Sequence, residues 1–157
     1  MEPIVWTEEY SVGVEKIDEQ HKKLIAMINR LIARPEVTTR SETISYLLTD
    51  MTRYAQEHFA TEEALLRKYN YPLLEEHIAQ HREFRKKTVD FCTATMLGAS
   101  KVPETLLDYL HDWLLEHLLN SDIAYKSFFH ERGLSKSKKG AAKNADSTPV
   151  VKHNGCD

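Results

Sequence analysis

YAQEHFATEEALLRKYNYPLLEEHIAQH, residues 54–81, carries the end of one predicted helix, the start of another, and the break between them. Upstream, Ile44, Leu47, Leu48, Met51, Tyr54 and Ala55 keep a helical period that runs on to about Tyr69. Asn70-Tyr71-Pro72 interrupts it, and Pro72 suits the first turn of a new helix. His58 and Glu62 are four residues apart, as are His77 and His81. On a helix that spacing is a rotation of about 40°, so each pair can reach one point. The chain reverses between the two pairs, which places the late part of one helix beside the early part of the next.

The same reading extends outward. Residues 1–17 lack a sustained helical period and are expected to form an extended arm with Trp6, Tyr10, Val12 and Val14. A first helix is predicted from Asp18, as N-cap, to Ala33, ahead of Pro35. Thr39-Arg40-Ser41-Glu42 reads as a capping box with Thr39 as N-cap of the second helix. The third is expected to reach Leu97, where Gly98 can end it. Pro103 starts a fourth, continuing to about Arg132 before Gly133. Amphipathic helices with short connections predict an all-α fold, an antiparallel up-down-up-down four-helix bundle with an extended N-terminal arm, over residues 1–132. Residues 133–157, poor in large apolar groups, are expected to be a disordered tail. Five lysines against two aspartates give that tail a charge of +3.

The 157 residues suit one domain with a real core. A net charge of -3 gives no electrostatic footprint for nucleic acid or an anionic membrane. No run approaches the roughly 20 apolar residues of a membrane span. The first residues show neither a basic leader nor an apolar signal core, and only two cysteines occur, Cys92 and Cys156. A soluble, cytoplasmic protein is expected, with Cys92 a buried free thiol.

Placed on these helices are His21, His58 and Glu62, His77 and His81, and His117 and Asp122. Either four-residue pair alone is a common coincidence. Their joint occurrence is not, because every helix contributes a histidine and two add a carboxylate. In the antiparallel bundle all seven fall at one end. Neutral imidazoles and carboxylates are the donors that a pair of transition-metal ions needs, although zinc or manganese would accept them too. His117 and Asp122 are five residues apart, about 140° around an ideal helix, which requires either that Asp122 bridge two ions or that the helix be distorted. No Glu-x-x-His, HExxH, cysteine-rich zinc motif, glycine-rich phosphate loop or GxSxG elbow is present. His111, His130 and His153 read as surface, supporting or tail residues.

The chain resembles the hemerythrin family, specifically its single-domain bacterial members. The resemblance rests on Trp6, Tyr10-Ser11-Val12-Gly13-Val14, Ile17-Asp18 and Gln20-His21, then His58-Phe59 with Glu62. It continues with His77 and His81, and with Trp113-Leu114, His117 and Asp122. It implies reversible dioxygen binding at a non-haem, oxygen-bridged di-iron centre, for storage, transport to an oxygen-consuming enzyme, or scavenging, and no enzymatic activity. By position, one iron would be held by His77, His81 and His117. The other would be held by His21 and His58 and would keep an open position, with Glu62 and Asp122 bridging the two. Leu24, Phe59, Trp113, Leu114 and Leu118 match the family's apolar lining of the dioxygen pocket, and equally suit ordinary core. Tyr125 is expected either to hydrogen-bond a metal ligand or simply to pack. A monomer with no nucleic-acid partner and no stable membrane insertion is expected. Peroxidase, nitric-oxide-scavenging or ferroxidase activity, and sensing through the tail, are the competing classes. A metal-free interaction module ranks last.

Overall fold

The structure, a computed structural model, describes residues 1–133. Residues 134–157 of the expected tail, with His153 and Cys156, lie outside them. Helix α1 spans Glu15–Ile32, α2 Glu42–Lys68 and α3 Leu74–Met96. The fourth rod is built of three consecutive pieces: α4 over Val102–Trp113, a π-helical segment over Leu114–Asp122, and α5 over Ile123–Glu131. No strand occurs among the described residues.

Cross-rod contacts fix the directions. Arg30 near the end of α1 pairs with Asp50 early in α2, while Gln20 near the start of α1 meets Glu57 and Thr61 late in α2. Phe91 late in α3 packs on Tyr109, and His77 at its start packs on Tyr125 in α5. Successive rods are therefore antiparallel, as the short connections predicted. α1 and α3 each pack against both α2 and the fourth rod.

The helix ends follow local chemistry, with three departures from expectation. Pro72 lies in the turn that precedes α3 and not in its first helical turn. Asp18 is not an N-cap but lies inside α1. Its carboxylate accepts hydrogen bonds from the Ser11 hydroxyl (2.7 Å) and the Val12 amide (2.8 Å), tying down the arm. The N-cap of α2 is Ser41, whose side chain accepts from the Thr43 amide. Thr39 instead donates its hydroxyl proton to the Ala99 carbonyl at 2.8 Å, joining the α1–α2 and α3–α4 loops. At the end of α2, Asn70 takes a left-handed conformation (φ 53°), and the Tyr71 amide reaches back to the Leu66 carbonyl. Gly98 (φ 68°) does the same after α3, with the Ala99 amide on the Ala94 carbonyl.

The arm is extended except for a 3-10 turn at Glu8–Tyr10. Asn29 of α1 grips it in both senses, accepting from the Ile4 amide (2.7 Å) and donating to the Ile4 carbonyl (2.8 Å).

Two apolar clusters fill the bundle. The larger runs from Leu24, Ile28, Leu47 and Met51 through Phe59 and Phe84 to Leu110, Leu114 and Leu118. The smaller holds Val12, Ile17, Leu66, Tyr71, Tyr125 and Phe129. Along α1, α2 and the fourth rod, a buried polar group separates the two: His21 between Ile17 and Leu24, Glu62 between Phe59 and Leu66, Asp122 between Leu118 and Tyr125. A polar layer thus crosses the bundle with apolar packing above and below.

Asn29→Ala removes both backbone partners of Ile4. It is expected to lower unfolding free energy by about 1–3 kcal/mol, read as a reduced urea midpoint with unchanged m-value.

Candidate metal centre

The seven side chains singled out by the sequence are all in that layer, and none exceeds 3% exposure. The way each is delivered differs by rod. His58 and Glu62, and likewise His77 and His81, use the four-residue spacing of regular helix. The fourth rod solves the five-residue problem by changing its geometry. Across Leu114–Asp122 the backbone winds as a π-helix, whose hydrogen bonds close from i to i+5. Residues five apart then relate as residues four apart do in an α-helix. His117 and Asp122 share a face, and their side chains approach to 3.1 Å.

Two overlapping groups of donors result. Glu62, His77, His81 and His117 offer one ligand atom each, all within 4.8 Å of one another, and so do His21, His58, Glu62 and Asp122. Glu62 belongs to both. Its Oε2 faces His77 and His81 Nε2 at 3.1 Å and His58 Nε2 at 3.6 Å. Asp122 spans the layer with its two oxygens. Oδ2 lies 3.1 Å from His21 Nε2, whereas Oδ1 lies 3.1 Å from His117 Nε2 and 3.4 Å from His77 Nε2.

The outward ring nitrogens explain why Nε2 points inward. His58 Nδ1 donates to Gln20 Oε1 (3.2 Å), and the amide of Gln20 is oriented by its own donation to the Glu57 carbonyl and Thr61 hydroxyl. His81 Nδ1 donates to Glu63 (2.9 Å), and His117 Nδ1 donates to Gln80 Oε1 (2.6 Å). Acceptors on Nδ1 place the hydrogen there and leave the Nε2 lone pair free for a metal. Ring stacking fixes the same three planes: Tyr54 on His58, Phe59 on His81 (3.8 Å, 11°), and Trp113 on His117 (4.2 Å, 19°).

The layer fits a pair of cations and is poorly satisfied without them. His81 and His117 turn Nε2 toward Nε2 at 3.1 Å, where at most one can carry a proton. Both nitrogens of His21, His58 Nε2 and both oxygens of Asp122 are buried without a well-directed hydrogen bond, although Asp122 lies 3.1 Å from His21 Nε2 and from His117 Nε2. Unpaired groups of this kind each cost on the order of 1–3 kcal/mol, and coordination would satisfy them together.

The electrostatics favour deprotonated ligands. Burial pushes His58 down to about 3, against the opposing pull of Glu62. His117 is lowered for the same reason. Burial would raise both carboxylates, but the surrounding imidazoles outweigh it, holding Glu62 well below its usual range and Asp122 at about 2. His77 moves the other way: burial lowers it, but the hydrogen bond to Glu62 and the charges of Glu62, Asp122 and Glu63 together outweigh that and raise it.

The remaining expected residues are placed as follows. Leu24, Leu114 and Leu118 are buried in the larger cluster. Phe59 and Trp113 meet the site as ring faces on His81 and His117, members of the three-imidazole group. Tyr125 donates its phenolic proton to Glu62 Oε1. His111 is half-buried beside Asp112, and His130 is exposed on α5. Sequence reasoning gave no role at the site to Glu63 or Gln80, and read Gln20 only as part of the family resemblance and Tyr54 only as part of an apolar stripe. The available signal was chemical: a ligating imidazole needs an acceptor for its second nitrogen. The spacing of residues on different rods does not reveal which side chain supplies it.

The hemerythrin HHE cation binding domain matches residues 12–126. The chain belongs to the hemerythrin family. A bacteriohemerythrin of Clostridium acetobutylicum is 30% identical over 125 residues, covering 77% of this chain and 97% of the relative. A hemerythrin-like protein of Naegleria gruberi is also 30% identical, covering 79% of this chain and 92% of the relative. The crystal structure of a wild-type hemerythrin superposes with a TM-score of 0.70 at 27% identity, covering 79% of this chain and 95% of that one. Family membership agrees with a buried metal centre built from this histidine and carboxylate cluster.

The metal-free protein is expected to lose stability on acidification. His58 has a folded value of about 3 against 6.5 ordinarily, so between those values the unfolded chain binds a proton that the folded chain refuses. Stability therefore falls as pH drops through that window, by up to about 1.4 kcal/mol per pH unit for one such histidine. His117 acts in the same sense. His77, with a raised value, contributes fully below its ordinary value and does not offset the loss. Urea unfolding of the metal-free chain between pH 6.5 and 4 checks this, and His58→Ala should flatten the slope.

Proposed function

We propose that this protein binds dioxygen reversibly at a pair of iron ions, and serves to store dioxygen, deliver it to an oxygen-consuming enzyme, or scavenge it. His77, His81 and His117 would hold one ion and His21 and His58 the other, with Glu62 and Asp122 shared between them. The protein is read as a cytoplasmic monomer that turns over no substrate. The observation that carries this reading is the pair of overlapping donor groups joined through Glu62 and spanned by Asp122.

When bound, the iron pair supplies the electrons and the coordination position needed to take up and release dioxygen. Everything else falls to the chain. Five imidazoles and two carboxylates give two cations a neutral-rich ligand set. Sites that reach high-valent iron and attack C–H bonds usually carry more carboxylates, so this set favours binding. Leu24, Phe59, Leu114 and Leu118, each at most 1% exposed, wall the layer on one side and keep bulk water and protons from it. Tyr125 keeps its proton and commits it to Glu62. Burial first, and then the Glu62 and Asp122 charges, push the phenol well above its usual range.

The direct test is metal analysis followed by anaerobic reduction and exposure to air, monitored by visible absorption. The expected result is two irons per chain and a colour change that reverses under argon. A single ion, or rapid peroxide turnover without a reversible oxygenated form, would overturn the proposal.

Leu114→Ala trims the apolar wall at the start of the π-helical segment. It is expected to speed decay of the oxygenated band several-fold in stopped-flow traces. A stability loss of about 2–5 kcal/mol should accompany it.

A further inference from the structure

The three outward ring nitrogens described above are accepted by unlike chemistries. His58 and His117 donate to the neutral amides of Gln20 and Gln80. His81 donates to a carboxylate, Glu63, at 2.9 Å. The same oxygen of Glu63 accepts from the Arg85 guanidinium at 3.2 Å. Arg85 in turn lies 5.0 Å over the face of Phe59, whose other neighbour in the stack is the His81 ring. Glu63, His81, Phe59 and Arg85 thus close a ring of contacts. Its outer members reach solvent, with Glu63 16% and Arg85 39% exposed, while His81 is fully buried.

We propose that Glu63 and Arg85 act as a positioning and tuning pair behind His81, setting the reduction potential of the metal centre from the surface of the bundle. This rests on the reading of the layer as a redox-active iron pair. A hydrogen bond to an ionised acceptor is roughly twice as strong as one to a neutral amide. It draws the Nδ1 proton outward, enriches Nε2 in electron density, and so stabilises the more oxidised metal. Arg85 restrains that pull by sharing the charge of Glu63. The two residues therefore oppose each other. A loss of Glu63 charge raises the potential, and a loss of Arg85 charge lowers it. A purely structural clamp would not produce shifts of opposite sign.

The experiment is a spectroelectrochemical titration of the iron-loaded full chain under argon, for wild type, Glu63→Gln and Arg85→Gln. Glu57→Gln is the control: it keeps the backbone carbonyl that meets Gln20, and the side chain it changes pairs with Lys23 beside His58 without touching a ring nitrogen. Glu63→Gln is expected to shift the balance of oxidation states about tenfold toward the reduced form, about 59 mV upward for one electron. Arg85→Gln is expected to shift it downward, and Glu57→Gln to leave it in place. Unchanged potentials in both test variants, shifts of the same sign, or an equal shift in the Glu57 control would overturn the inference. Should Glu63→Gln fail to take up iron, Arg85→Gln decides alone: a downward shift supports the pair, and an unchanged potential refutes it. The potential is readable whether or not dioxygen binds. Failure of the wild type to bind dioxygen reversibly therefore sinks the proposed function, whereas unshifted potentials in an oxygen-binding protein sink only this inference.

Discussion

Seven buried donors facing one another, with too few protons to pair them, form the constraint around which this bundle is organised. Ordinary cores bury polar atoms only when each finds a partner. Here His81 and His117 present Nε2 to Nε2, and Asp122 turns two oxygens into the layer in close but poorly directed contact with His21 and His117. Such an arrangement is costly as a polar network and sensible as a coordination shell. The remaining structure can be understood as the means of holding the donors there against their own tendency to seek water.

Three kinds of restraint share that task. Apolar clusters on either side of the layer prevent the rods from spreading or sliding. Flat rings stacked on His58, His81 and His117 fix the planes of those imidazoles, and side-chain acceptors on Nδ1 fix which nitrogen turns inward. His21 differs, being buried in the layer with no acceptor on Nδ1 and only the poorly directed 3.1 Å contact of Nε2 with Asp122. Its orientation depends on packing between Ile17 and Leu24 and on the nearby Asp122 carboxylate, so it is the least restrained by hydrogen bonds among these four.

Much of this was legible in the sequence, because it is written in short-range spacing. Apolar periodicity located all four rods, and the four-residue pairs His58/Glu62 and His77/His81 announced their shared faces. The five-residue step from His117 to Asp122 announced a difficulty without its solution. Helix geometry is a property of the backbone in its tertiary setting, and no residue type marks a π-helical turn. Asp18 and Thr39 were misread for a related reason. Both are good local caps, yet each makes a better bond with a distant partner, the arm in one case and the Ala99 carbonyl in the other. Glu63 and Gln80 were invisible because they reach their histidines across rods, and contacts between rods leave no fixed spacing.

Ligand identity alone does not separate a carrier from an oxidant, since an iron pair held by such ligands can do either. The surroundings weigh on that choice through protons. Reducing dioxygen fully consumes protons at the metal, so under the proposed function a layer that withholds them would favour release of the intact molecule. Tyr54 stacks on His58 and Tyr125 bonds Glu62, and burial first, then the carboxylate charges, raises both phenols well above their usual range. Neither gives up its proton readily. Tyr125 already spends its hydrogen bond on Glu62, and doing so moderates the charge of the carboxylate common to both donor groups. The leucines and Phe59 seal one side of the same layer. Taken with a ligand set poor in carboxylates, this proton-reluctant environment supports the proposed binding without turnover, and it does so through residues outside the proposed ligand set.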